Sequence, residues 1–248
     1  EITVTAPAKG SEFEGIGEIV LLATSDTETT AEAAIKVSLK GINNADDFLA
    51  LAAAWNAIWA TPAENRDFSA LDPYLLGGEL VMNADIDVSK NVTNKFFNGE
   101  FDRVFNGNGH TLTYALEGSE GVMGIFDTFK SPGVVKNLTI AGSFYAKSEA
   151  VNRHGGISGW ADGGTFQNIT IAIDYKQEGA EQGGYFGGIT GDQTNYNGGG
   201  VYENCHFVGT INAQTTKFLG GIIGAFRLRY VFLRKECFVS RLYFQRAN

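Results

Sequence analysis

The sequence predicts a mostly β protein: a right-handed parallel β-helix with an N-terminal capping helix, preceded by a small N-terminal β segment. Three observations lead there. Glycine supplies 32 of 248 residues, with only four prolines and no triplet period. That composition suits a turn-rich β chain and excludes both a collagen and a Pro-rich disordered tract. A Gly-Ile unit recurs at Gly124-Ile125, Gly156-Ile157, Gly188-Ile189 and Gly221-Ile222, at spacings of 32, 32 and 33 residues. A second series, Asn137, Asn168 and Asn204, interleaves with it, each Asn opening a stretch of alternating apolar and polar residues. Two series that stay in step over many turns describe one repeating unit, stacked coil upon coil.

Residues 1–41 stand apart. ITVTA, EIVLLA and AAIKVSL are three β segments, too few for an immunoglobulin-like sandwich of seven strands. They read as part of such a module, or as strands that dock on the solenoid. The second region, residues 42–226, opens with the capping helix. Asn44 is its N-cap, Asp46 and Asp47 complement its first turn, and Phe48, Leu51, Ala52, Trp55, Ile58 and Trp59 form an apolar stripe that ends before Pro62. A terminal coil left open is an unpaired edge, so this stripe is expected to lie across the first coil. GGELVMNADIDVS then reads as the first strand, and FNGEFDRVFNGNGHTLTYAL as the next turn and strand, with a bulged corner at Arg103 and Val104.

Within the repeats, alternation separates inside from outside. Leu138 and Ile140, Ile169 and Ile171, and Cys205 and Phe207 take the inner face; Thr139, Thr170 and His206 take the outer. Asn137, Asn168 and Asn204 fall at equivalent corners, where Asn tolerates the left-handed turn and its amide stacks on the next in a hydrogen-bonded ladder. The GGIxG glycines allow tight corners or close backbone approach. The pattern stops at Gly224, so further coils are expected to follow in the natural protein.

Residues 227–248 are compositionally foreign. They hold six of the 19 basic groups and one of the 28 acidic ones, and no glycine. This atypical basic tail reads as an artefactual terminus, or alternatively as a basic amphipathic segment for a membrane surface. The whole chain carries a net charge of −9, which argues against nucleic acid as a partner. Its longest apolar stretch, Phe48 to Ala60, contains Asn56 and is shorter than the roughly 20 residues a membrane span needs. The chain begins at Glu1 without Met or an apolar leader, as a processed chain would. Two cysteines give no disulfide framework.

INNADDFLALAAAWN, LVMNADIDVS, FDRVFNGNGHTL and the repeated GGIxG and xNLTIxG units together resemble bacterial surface proteins with GLUG-type repeats on a β-helix of pectin-lyase-like shape. The resemblance covers about residues 42–226. It implies a Bacteroides-like secreted or cell-surface protein, preceded by an immunoglobulin-like module, with an adhesive role and no defined catalytic set.

Candidate chemistry is sparse. Asp85 and Asp87, two apart on a strand and near Asp102 in sequence, form a pair suited to Ca²⁺ or to acid/base cleavage of a sugar chain, against the plainer reading of a solvated strand face. Arg103, Lys136 and Arg153 are the bases a β-helical lyase would draw on. His110, His154 and His206 lack metal-ligand spacing, and no other cofactor is indicated. NVT at Asn91, NLT at Asn137 and NIT at Asn168 match a glycosylation sequon, but the last two belong to ladder corners. Trp160, Tyr175, Tyr185, Tyr196 and Tyr202 fall in or beside connectors, where flat rings can stack on sugars. The expected function is a non-enzymatic adhesion or binding protein whose partner is a host or dietary glycan or a surface protein. The alternatives are a lyase or hydrolase of acidic polysaccharide, and a structural spacer.

Overall fold

The computed structural model describes residues 17–24, 30–37, 40–119, 121–147, 153–178, 184–194, 199–213, 218–227, 232–234 and 238–239. The chain divides into two units, Glu1–Lys40 and Gly41–Asn248. In the first, Gly17–Thr24 pairs antiparallel with Thr30–Val37 in unbroken register. These strands carry most of EIVLLA and AAIKVSL; ITVTA lies outside the described residues.

The second unit is a β-solenoid of about four turns. Parallel pairing links equivalent strands of successive coils: Val104–Asn106 to Val134–Lys147, to Thr165–Glu178, to Val201–Phe207. Equivalent residues therefore stack in files. Leu138 lies beside Ile169, which lies beside Cys205, and all three are buried. Leu112, Ile140, Ile171 and Phe207 form a second hidden file, and Phe105, Val135, Phe166 and Tyr202 a third. Thr139, Thr170 and His206 align on the opposite face, as their alternation requires.

Asn137, Asn168 and Asn204 adopt φ of 53°, 54° and 51°, the left-handed corner that Asn accepts at low cost. Their amides form the ladder: Asn168 Nδ2 donates to Asn137 Oδ1 at 2.8 Å, and Asn204 Nδ2 to Asn168 Oδ1 at 2.9 Å. The ladder runs one rung further than the repeat suggested. Asn137 Nδ2 donates to Asn106 Oδ1 at 3.3 Å, and Asn106 Nδ2 to Glu79 Oε2 at 2.9 Å.

The three glycines of each GGIxG unit answer three separate steric demands. At Gly155, Gly187 and Gly220 a Cβ would strike the carbonyl oxygen of Ser158, Thr190 or Ile223 across the same corner. At Gly156 and Gly188 it would strike the carbonyl oxygen of the equivalent corner in the next coil. At Gly191 it would lie 2.7 Å from both backbone N and O of His154, and at Gly224 within 2.7 Å of Phe186 backbone. The chain thus reverses in a few residues, with Ile157 and Ile189 buried inside the reversal.

The capping helix, α1, spans Ala45–Ala60. Asn44 caps it by accepting from Asp47 N at 2.9 Å, and Phe48, Leu51, Ala52, Trp55 and Ile58 are its buried face. That face packs on the strand Lys95–Phe101: Trp55 lies 4.8 Å from the Phe101 ring and Phe48 5.2 Å from Phe96. Its polar side chains also satisfy that strand's backbone. Trp55 Nε1 donates to Asn98 O at 3.0 Å, Asn56 Nδ2 donates to Phe96 O at 2.9 Å, and Asn56 Oδ1 accepts from Asn98 N at 2.7 Å. The helix closes the strand edge with hydrogen bonds as well as covering it with apolar surface.

Within the compositionally distinct residues 227–248, two short strands are described. Phe232–Arg234 and Phe238–Val239 pair in parallel with Val201–Glu203 and His206–Phe207, adding backbone rungs to the first sheet. Strand pairing uses backbone groups that every residue carries, so it tolerates a sequence without the repeat's glycines. A register irregularity in the pairing of Lys95–Phe101 with Val122–Lys130 falls between Phe97 and Glu100.

Candidate functional site

The aspartate pair is already committed to its own loops. Asp85 Oδ1 accepts from Thr111 N at 2.8 Å and stands 3.3 Å from His110 Nδ1; Asp87 Oδ1 accepts from Ser89 N at 2.9 Å. The Thr111 N–H holds the Asp85 carboxyl below its ordinary range, and the Ser89 hydroxyl and N–H do the same for Asp87. A general acid needs its pKa raised towards neutrality, so both shifts run against that role. Among the described residues no group of three or more His, Cys, Asp or Glu side chains is placed to hold a metal. The basic residues are dispersed as well. Lys136 Nζ bonds Glu79 Oε1 at 2.6 Å, Arg103 lies over the Phe68 ring, and Arg153 pairs with Asp192.

The aromatic residues separate into two groups. Tyr175 and Tyr202 are 1% and 0% exposed, which corrects their placement at a binding surface. The strand Thr165–Glu178 runs 14 residues, so inward alternation continues through Tyr175, in file with Phe144 and Ile211. Its ring stacks on Phe186 at 3.6 Å and its hydroxyl meets His154 Nδ1 at 3.0 Å. Tyr202 stacks on Phe166 at 5.0 Å. Tyr196 lies outside the described residues.

Trp160 and Tyr185 are half-buried, and the second sheet brings them together with residues that the repeat pattern does not connect. One outward file runs Val122, Arg153, Tyr185, Phe218; the next runs Thr128, Trp160, Asp192, Ala225. The narrow corner between the two files lets Arg153 reach across. Its Nε donates to Asp192 Oδ2 at 2.8 Å, and its guanidinium carbon stands 5.8 Å from the Trp160 ring centroid. The Asp192 side chain is 1% exposed and that of Arg153 31%. A buried carboxylate needs such a partner, and it locks the guanidinium orientation in return. Trp160 Nε1 donates to Thr194 Oγ1 at 3.3 Å, which fixes the indole plane. Tyr185 and Phe218 continue the patch as a ring pair 5.2 Å apart and 10° from parallel, with Phe218 43% exposed.

Arg153 and Asp192 are 39 residues apart, off the repeat by seven, so no search at a 32-residue spacing finds the pair. The signal that was available is the Gly159 and Gly191 column, whose missing side chains let the two strand segments approach.

Two other features flank the coils. Tyr145 donates its hydroxyl to Glu178, and Lys147 and Lys176 lie 4.7 and 5.1 Å from its ring. An open cleft of about 370 Å³ separates α1 from the segment around Val92, lined by Leu49, Ala53, Asn56, Val92 and Phe96.

No protein-family model, curated protein or solved structure matches the chain. The likeness to GLUG-type proteins therefore rests on the sequence motifs, and the solenoid on the strand pairing. Among the described residues, no helix is long and apolar enough to cross a membrane.

Proposed function

We propose that this protein is a non-enzymatic binding module that docks a glycan against the outer wall of its solenoid, at the patch built by Trp160, Arg153, Tyr185 and Phe218. The observation that carries this reading is the half-buried Trp160 ring beside a guanidinium held in place by the buried Asp192. A flat ring supports the apolar face of a sugar, and an oriented donor fork supports its oxygens. The solenoid offers a rigid base, since each strand beneath the patch is hydrogen-bonded to its neighbours. The GLUG-type motifs support a setting at a bacterial cell surface.

A glycan array with the intact chain, followed by calorimetry on the best ligand, tests the reading. Trp160→Ala is expected to weaken binding about tenfold, the loss of one aromatic contact worth about 1.4 kcal/mol. Unchanged affinity in that variant, with its fold intact, would move the site elsewhere. Turnover of any polysaccharide would overturn the non-enzymatic assignment.

A further inference from the structure

Four Asn-Gly pairs lie along the chain, at Asn98, Asn106, Asn108 and Asn197. In such a pair the glycine nitrogen, unshielded by a side chain, can attack the asparagine amide next to it. We infer that Asn98 is a site of spontaneous covalent modification, converted by water to aspartate and isoaspartate, and that this conversion loosens the capping helix.

The fold protects two of the other pairs. Asn106 Oδ1 accepts from Asn108 N at 2.9 Å and from Asn137 Nδ2 at 3.3 Å, its Nδ2 donates to Glu79 Oε2 at 2.9 Å, and Gly107 N donates to Lys136 O at 2.9 Å. Both reacting groups are therefore held. Asn108 is exposed, but Gly109 N, the nitrogen that would attack it, donates to Asn137 O at 2.8 Å. Asn98 differs on both counts. Its side chain is exposed and has no hydrogen-bond partner among the described residues. Gly99, at φ 76°, falls where the pairing passes from Phe97–Phe126 to Glu100–Thr128, so both residues of the pair lie outside the regular ladder. Asn197 lies outside the described residues.

In the first step the Gly99 nitrogen attacks Asn98 Cγ. The N–Cγ bond forms, the Cγ–Nδ2 bond breaks, and ammonia leaves with the glycine proton, closing a five-membered imide. Water then adds to one of the two imide carbonyls. Opening on one side gives aspartate; opening on the other gives isoaspartate, whose backbone runs through the former side chain and is one carbon longer.

The position of Asn98 gives that product its effect. Asn98 N donates to Asn56 Oδ1 at 2.7 Å and Asn98 O accepts from Trp55 Nε1 at 3.0 Å, two of the bonds by which α1 closes this strand. A longer backbone at this residue moves the two groups apart, and such bonds weaken steeply once distance and angle are lost.

The experiment incubates the intact chain at physiological temperature and mildly alkaline pH, then maps its peptides by mass spectrometry with enzymatic labelling of isoaspartate. Asn98 is expected to convert at least about fivefold faster than Asn108, whose glycine nitrogen must first break a hydrogen bond of ordinary strength, with Asn106 slower still. Converted protein is separated by ion exchange through the charge it has gained. Its amide exchange over residues 45–60 is expected to rise, while Asn98→Gln, whose longer side chain does not close the five-membered ring, stays as it was after the same incubation. Asn98→Asp carries the new charge without the extra carbon and is expected to exchange as the unmodified protein does.

Conversion of Asn106 or Asn108 as fast as Asn98 overturns the assignment of the site. Conversion at Asn98 with exchange in α1 unchanged, or equal loosening in Asn98→Asp, overturns the link to the cap. Should either variant fail to fold, the peptide map and the exchange of the converted wild-type protein still decide both points.

Discussion

Replacing Gly191 by alanine tests whether the GGIxG unit is a steric requirement of the corner. The new Cβ would sit 2.7 Å from His154 N, 2.7 Å from His154 O and 2.8 Å from Gly159 O, all backbone atoms. Ordinary contact begins at 3.4 Å, so these strands must separate by about 0.7 Å. The bonds that hold this corner to the preceding coil, Ile157 N to Ile189 O at 3.0 Å and Ser158 N to Ile189 O at 3.0 Å, would stretch beyond useful length. Two hydrogen bonds at about 1 kcal/mol each, plus about 1–2 kcal/mol of packing strain, put the cost near 3–4 kcal/mol. The smaller unfolded-state entropy of alanine returns about 0.4–1 kcal/mol, leaving a net loss of about 3 kcal/mol. Urea denaturation measures the loss, and amide exchange at residues 218–227 reports whether the following coil loosens. Gly118→Ala is the control, since its Cβ would meet side-chain atoms, the nearest at 3.0 Å, and is expected to cost less than about 1 kcal/mol. Equal stabilities for the two variants would refute the steric reasoning.

Further expectations concern the ladder, the cap and the Glu79 pair. Asn168→Ala removes both ladder bonds and places alanine at φ 54°, for an expected loss of about 2 kcal/mol by thermal or urea unfolding. Trp55→Ala empties a fully buried site on the capping helix and unpairs Asn98 O, with an expected cost of about 3–5 kcal/mol; an exposed ANS-binding edge should accompany it. Glu79 is held below its ordinary 4.5, first by the Lys136 hydrogen bond. Its contribution to stability is therefore present above the unfolded value and lost as pH falls below about 4.5 through the folded one, and Glu79→Gln should flatten the stability curve in that window. An unchanged curve in Glu79→Gln would show that the pair does not matter to folding.

Repetition made most of the scaffold legible. The Gly-Ile series, at spacings of 32 and 33 residues, and the Asn series, at 31 and 36, placed Leu138, Ile169 and Cys205 in one file and Asn137, Asn168 and Asn204 in one ladder. Both follow from local rules, alternation along a strand and the tolerance of Asn for a left-handed corner, repeated coil after coil. The helix was legible for the same reason, since its cap and apolar stripe lie within a single 16-residue element and the residue before it.

Tertiary structure decided what repetition cannot express. Tyr175 and Tyr202 looked like connector residues, yet strand extension and register turn them into the core, where each ring has a neighbour to stack on. Asn56 looked like a polar interruption of the helix and proves to be the group that bonds the exposed edge of Lys95–Phe101. The Arg153–Asp192 pair beside Trp160 depends on a corner tight enough to fold two strand segments together, a distance in space that no spacing along the chain encodes. A periodic sequence specifies which residues stack between coils, because that contact repeats. The Arg153–Asp192 contact and the contacts of the cap do not repeat among the described residues, and only the folded chain brings their partners within reach.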